Sequence, residues 1–132
     1  MEAKLVKLAR AHIRKSLAAI AAAYAPVIEE ARQADSSGEA AKAYALFRKA
    51  SRIDPNQQEP YTAMERIRAI LHEKAKVLYT EAVLAESYSD FASARKRYQE
   101  IIESIPAEDL YHERATRKLA RYLRSEEHTS EL

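Results

Sequence analysis

Four histidines are the first residues to test for chemistry: His12, His72, His112 and His128. No two lie close enough in sequence to share a helix face, so the spacing that lets a helix hold a metal ion or pair an acid with a base is missing. Cysteine is absent, which removes thiol nucleophiles, disulfides and cysteine-based metal sites while leaving the compartment open. Gly38 is the only glycine, so no glycine-rich loop can cradle a phosphate and no strand-turn-helix nucleophile motif is present. The acid pairs Glu29-Glu30 and Glu100-Glu103 fall on predicted helix surfaces, where solvation or pairing with a base one turn away is their ordinary state. No constellation of nucleophile, base and oxyanion donor emerges. The chain is therefore expected not to be an enzyme, with no catalytic residue, metal ligand, cofactor or small-molecule substrate assigned.

Basic residues offer a different chemistry. Arg95, Lys96 and Arg97 form a cluster, and Arg114, Arg117, Lys118 and Arg121 recur at i, i+3, i+4 and i+7 along one face of the last predicted helix. Such a stripe can meet phosphates. Its opposite side, Tyr111, Ala115, Leu119, Tyr122 and Leu123, is the apolar stripe of an ordinary amphipathic helix, and Glu100, Glu103, Glu108 and Asp109 dilute the field. The favoured reading is a solvated outer face. Nucleic-acid binding by the basic face of the C-terminal helix is the alternative, which salt-dependent binding to an oligonucleotide would decide.

The elements that carry these residues are helices. One glycine and four prolines among 132 residues, with abundant Ala, Leu, Lys, Arg and Glu, argue for an all-α protein. The length suits one domain and suffices to bury a core. No run approaches the roughly 18 apolar residues of a transmembrane helix.

Two stretches repeat one pattern of small residue, aromatic and proline. The first is Gly38, Ala43, Phe47, Ala50 and Pro55; the second, 51 residues later, is Ser89, Ala94, Tyr98, Ile101 and Pro106. Alanine at points of closest approach lets two antiparallel helices come together, an aromatic fills the gap one turn on, and proline stops the helix because it has no N–H to donate. The pattern resembles the tetratricopeptide repeat, and taking Pro55 and Pro106 as that repeat's proline implies a first helix over 24–36 with Val27, Ala31 and Ala34 on its buried face, and a counterpart with Leu78, Ala82 and Ala85.

These spacings resemble the second helix of the tetratricopeptide repeat. The resemblance implies an α-α superhelix of tetratricopeptide-like helical hairpins with a long linking helix. It is a degenerate likeness, because the large residues and glycine of the family's first helix are only partly met. The 51-residue spacing is one and a half times the family's period of about 34 residues, so an extra helix is expected between the matched pairs. From Pro60 to Ser87 there is no glycine and no internal proline, and Tyr61, Met64, Ile67, Leu71, Leu78, Ala82 and Ala85 keep helical spacing with a gap near Lys74. One long helix is expected there, with a reversal near His72 to Lys76 as the alternative. The organisation read from the sequence is an amphipathic helix over 1–23, a first repeat over 24–57, an extra helix over 58–74 continuous with the second repeat over 75–107, a C-terminal helix over 108–123, and a tail over 124–132.

At the N-terminus, Lys4, Lys7, Arg10, Arg14 and Lys15 precede the apolar run Leu17 to Ala25. Ala23-Tyr24-Ala25 has the form of a signal cleavage site, but the run is mostly alanine and Pro26 would follow the cut. On a helix, Leu5, Val6, Ile13, Leu17, Ile20 and Tyr24 gather on one side and Lys4, Lys7, Arg10 and Arg14 on the other. A helix packed into the stack is the favoured expectation; a targeting segment or a membrane-surface helix are the alternatives. Pro26 is expected to kink this helix or to start the next. The expected compartment is the cytoplasm, with secretion or the periplasm left open.

The tail Arg124 to Leu132 resembles the in-frame translation of a sequencing adapter and is set aside from the fold. Without it the chain goes from 22 bases and 20 acids to 21 and 17, and its net charge from +2 to +4. Ala115 to Leu123 is similar to Ala63 to Leu71, about 52 residues earlier, where a long helix and a further repeat follow. The chain is accordingly expected to be a fragment of a longer bacterial protein. Degenerate repeats with long linking helices resemble the repeat segments attached to signalling or secretion-apparatus proteins, including forkhead-associated-domain proteins.

The resemblance also implies a function. First helices of stacked tetratricopeptide hairpins line a concave groove that holds an extended peptide or a partner helix. The groove positions here are Ile28, Arg32 and Asp35 in the first repeat and Tyr79, Val83 and Glu86 in the second. The chaperone-binding members grip a C-terminal carboxylate with lysine and asparagine where this chain has Ile28 and Arg32, or Tyr79 and Val83, so that clamp is absent. The mixed groove suits an amphipathic segment. Expected, then, is a non-enzymatic protein-protein interaction scaffold, with self-association into a homodimer as the rival within that class.

Overall fold

The computed structural model describes residues 2–131, with side chains for 3–125. It consists of five helices: α1 (Glu2–Ser36), α2 (Ala40–Ile53), α3 (Glu59–Ser87), α4 (Phe91–Ser104) and α5 (Leu110–Glu131). Among the described residues there is no strand, so the protein is all-α. No helix is long and apolar enough to cross a membrane among the described residues.

Helix boundaries follow local chemistry. α1 is a single 35-residue helix with Pro26 inside it, although Pro26 leaves the carbonyl of Ala22 without its usual donor. α3 passes through His72 to Lys76 without interruption; no glycine or proline stands there to stop it. Pro60, the second residue of α3, sits where a helix needs no proline N–H, and its ring is fully buried. Pro55 and Pro106 each follow the residue that caps a helix C-terminus, Asp54 for α2 and Ile105 for α4. α5 continues through 124–131, the segment that resembles translated adapter; residue 132 and the side chains of Glu126, Glu127, His128 and Glu131 lie outside the described residues.

The chain divides into two compact units, Met1–Ile67 and Arg68–Leu132. In the first, the core is Ile28, Ala31 and Ala34 of α1, Ala43, Tyr44, Phe47 and Ala50 of α2, and Ala63 and Ile67 of α3. The alanines at 31, 43 and 50 are completely buried, so α1 and α2 approach as closely as a methyl group allows and Phe47 fills the gap between them. In the second, Leu71, Ala75, Leu78 and Ala82 of α3 join Ala94, Tyr98 and Ile101 of α4 and Ala115 of α5. Of the residues that carry the repeated sequence pattern, Ala31, Ala34, Ala43, Phe47 and Ala50, with Leu78, Ala82, Ala94, Tyr98 and Ile101, are buried, whereas Val27 and Ala85, expected on the buried faces, are only half-buried, and the turn residues Gly38 and Ser89 are exposed.

The two hairpin turns are built alike. After α1, the Glu39 N–H donates to the Ala34 carbonyl at 2.9 Å and the Gly38 N–H to Asp35 at 3.1 Å. After α3, the Asp90 N–H donates to Ala85 at 2.9 Å and the Ser89 N–H to Glu86 at 3.0 Å. Each is a Schellman reversal, which needs a left-handed residue. Gly38 supplies it at φ 77° and Ser89 at φ 59°. The helices that follow start differently: the Asp90 carboxylate accepts from the Ser93 N–H at 3.2 Å, whereas Glu39 makes no side-chain cap.

One expectation is corrected. The amphipathic stripe of residues 5–20 is not packed into a stack: every described residue from Ala3 to Ala23 is exposed, including Leu5 at 67%, Ile13 at 56% and Leu17 at 59%. Packing of α1 begins only at Tyr24, beside Pro26. Among the described residues nothing covers the earlier turns.

Candidate functional site

Of the residues expected to line a groove, Arg32 and Val83 are exposed, Asp35, Tyr79 and Glu86 are half-buried, and Ile28 is buried. Ile28 is 4% exposed and belongs to the core of the first unit, a correction to its assignment as a groove contact; its spacing from Ala31 turns it inward with the alanines. Arg32 and Asp35 do face a cleft of about 550 Å³ in the same unit, together with Phe47, Glu59, Thr62 and Arg66. The start of α3 forms its far wall.

That cleft is lined by ion pairs. Arg32 Nε donates to Glu59 Oε2 at 2.7 Å and Nη2 to Oε1 at 2.6 Å, a two-point grip that matches the planar guanidinium to the carboxylate. The Arg32 hydrogen bond holds the Glu59 carboxyl below its usual range against a smaller opposing effect of burial, and Glu59 in turn raises the Arg32 guanidinium. Asp35 is paired with Arg66. Side chains of the two pairs remain between a quarter and a half exposed, so these are surface interactions that salt weakens.

In the second unit the equivalent acid, Glu86, is the centre of a denser network. Its Oε1 accepts from the Tyr98 hydroxyl at 2.5 Å and from Lys118 Nζ at 3.1 Å, and its Oε2 from the Tyr122 hydroxyl at 2.8 Å. Burial acts to raise the Glu86 carboxyl, but the hydrogen bonds from Tyr98, Tyr122 and Lys118 together hold it below its usual range. The tyrosines move the other way: burial, then the bond to Glu86, raises Tyr98 and pushes Tyr122 up to about 12. A cleft of about 420 Å³ opens beside this network, walled by Phe91, Lys118, Arg121 and Tyr122. Among the described residues no buried side-chain polar atom lacks a hydrogen-bond partner.

Tyr79 and Val83, the remaining groove positions, separate. Tyr79 packs its ring against Tyr98 and Tyr111, with centroids 5.6 and 5.4 Å away, and its edge joins Arg114, Arg117 and Arg121 around a smaller recess. Val83 is 43% exposed. The structure thus brings Arg32 and Asp35 to one cleft and leaves Glu86 and Tyr79 in an internal aromatic and ionic network.

The basic residues are largely engaged. Arg117 pairs with Glu113 at 2.6 Å and Arg97 with Glu81 at 3.1 Å, while Arg114 lies over the Tyr111 ring. His72 Nδ1 is 2.7 Å from Asp109 Oδ2, a carboxylate that also accepts the Tyr111 N–H at α5's start, so this histidine serves as a staple. Among the described residues no group of three His, Asp or Glu could hold a metal ion.

Sequence reading missed the partners. Nothing in the sequence alone marks Glu59 or Arg66, and Lys118 reads as an outer-face base. A signal was present: Asp35 and Glu86 are 51 residues apart, and Arg66 and Lys118 are 52 apart, so an acid on one helix and a base on a later one recur together. Compared with known proteins, the chain matches no family model, no curated protein and no solved structure.

Proposed function

We propose that the protein is a non-enzymatic interaction scaffold of tetratricopeptide-like hairpins, a part of a longer bacterial protein, that holds a protein segment against its first helices. The observation that carries this reading is the duplication itself. Two hairpins bury the same set of small and aromatic residues, turn through the same left-handed reversal, and place an acid at the same point, Asp35 or Glu86, against a base from a later helix. A chain that repeats a packing unit in place of building one closed core is organised to extend, and stacking of such units creates long binding surfaces.

Of the two units, the first offers the better seat. Its cleft is lined by the buried Phe47 and Ala63 and by two exposed ion pairs, which a partner can replace with its own charges without unfolding anything. A peptide with an apolar anchor flanked by one acid and one base fits that chemistry. The test is selection of peptides from a random library against the full chain, followed by mapping on Arg32→Glu and Asp35→Lys variants. Selected peptides should lose at least about tenfold in affinity on either variant, as breaking one close charge pair requires. Peptides that bind both variants as well as the parent would dismiss the first-helix groove.

A further inference from the structure

The first six turns or so of α1 are the largest feature that neither hairpin uses. Residues 3–23 span about 31 Å of helix, and every one is exposed. On a helical projection Leu5, Val6, Ile13, Leu17 and Ile20 fall within an arc of about 120°, while Lys4, Lys7, Arg10, Arg14 and Lys15 occupy the arc beyond it. The charge is one-sided in a second sense. The chain has 20 acids, yet none lies between positions 3 and 28, and among the described residues Lys7, Arg10, Arg14 and Lys15 make no ion pair.

We propose that residues 3–23 of α1 lie along an anionic lipid surface, with the aliphatic stripe entering the headgroup boundary and the five basic residues meeting the lipid phosphates and carboxylates. This goes beyond the scaffold reading and does not depend on it. An interfacial helix requires a strong polar face rich in Lys and Arg beside an apolar one, and anionic headgroups attract each basic residue near the surface. Charge argues against a second copy as the occupant, since it would bring another set of five bases and no acid to balance them. Side-chain type argues against a protein pocket: from Leu5 to Ile20 the stripe is Leu, Val and Ile, spread over about four turns with Ala9 and Ser16 between. Its one aromatic, Tyr24, is half-buried where packing of α1 begins, so the exposed turns present none of the aromatic anchors that dominate protein interfaces. A fluid anionic surface needs no such anchor and no register. The segment's separation from the core suits it to this role, because packing of α1 starts only at Tyr24.

The experiment is flotation of the full chain with vesicles of phosphatidylcholine alone and of phosphatidylcholine mixed with phosphatidylserine. The expected result is at least about tenfold tighter binding to the mixed vesicles at low salt, most of it lost at ~1 M salt, where the screening length is only about 3 Å. Ile13→Glu with Leu17→Glu should abolish binding, and Lys7→Glu with Arg14→Glu should lower it at least about tenfold. Both pairs lie outside the packed core, so an unchanged thermal midpoint accompanies the loss. Equal binding to neutral and mixed vesicles, or none at low salt, overturns the proposal. So does a concentration-dependent dimer that Ile13→Glu disperses without any vesicle binding, which would give the stripe to a second copy. Binding of an acidic amphipathic peptide in place of vesicles would give it to a protein.

Discussion

Gly38 and Ser89 occupy the same left-handed position of the same reversal, 51 residues apart, at φ 77° and 59°. Only glycine adopts this conformation without a Cβ penalty, which for other residues is about 1–2 kcal/mol. The second hairpin therefore carries a local strain that the first avoids, and its turn keeps the same hydrogen bonds because the packing of α3 on α4 fixes it.

Exchanging the two residue types should move stability in opposite directions. Ser89→Gly should stabilise the second unit by about 1 kcal/mol, and Gly38→Ala should destabilise the first by about the same amount. A Cβ at position 38 would meet nothing within 4 Å, so the cost there is backbone conformation alone. Urea unfolding followed by circular dichroism reads both; a destabilised Ser89→Gly would show that the serine side chain contributes more than its strain costs.

Removing the charge at Glu86 should loosen the second unit and free its tyrosines. Glu86→Gln should cost about 1.5–3 kcal/mol, the range for hydrogen bonds to a charged group. Titration of tyrosinate absorbance should show Tyr122 falling from about 12 toward its ordinary value of 10.0. An unchanged Tyr122 transition would mean that burial alone sets it.

The same network makes stability fall at both ends of the pH scale. Glu86 is held below its ordinary value of 4.5 in the folded protein; its contribution is complete above that value and is lost as pH falls through the lower folded one. Tyr98 and Tyr122 are raised above 10.0. Their contribution is complete below pH 10 and disappears as pH rises through their folded values. Thermal midpoints measured from pH 2 to 12 should drop at both extremes, and Glu86→Gln should flatten both limbs.

Close approach of the hairpin helices depends on alanine. Ala43 and Ala94 are completely buried in their respective units, so Ala43→Leu or Ala94→Leu should lower stability by about 1–3 kcal/mol or more through overpacking. Denaturant midpoints check this. Tolerance of leucine at either position would show that the helices can separate.

Pro26 should limit the order of the exposed turns. Its missing N–H and ring contact cost about 3 kcal/mol in a helix interior, and among the described residues nothing packs against 3–23 to offset that. Pro26→Ala should slow amide hydrogen exchange over residues 5–25 while leaving the exchange of Ala43 to Ala50 unchanged. Equal protection in both proteins would mean that the segment is held by something other than its own helix bonds.

Much of the core could be read from the chain because it is local and periodic. Ala31, Ala34, Phe47 and Ala50, like Ala82, Ala94, Tyr98 and Ile101, sit at spacings that put them on one helix face, and burial follows when that face meets a like one. The absence of glycine and internal proline from 61–87 likewise allows one unbroken α3. Tertiary structure alone decided what each face meets. Ile28 lies at helical spacing from both Ala31 and Arg32, and only the packing of α1 decided that it turns inward with the alanines. The stripe from Leu5 to Ile20 has the pattern of a buried face and stays exposed, because periodicity records that a face is apolar and says nothing of whether a partner exists. Glu86 reads as a groove acid in sequence; it became the centre of a network because Tyr98, Lys118 and Tyr122, from two later helices, converge on it. Pairings between helices depend on distances across the fold, and those arise only when the chain has folded.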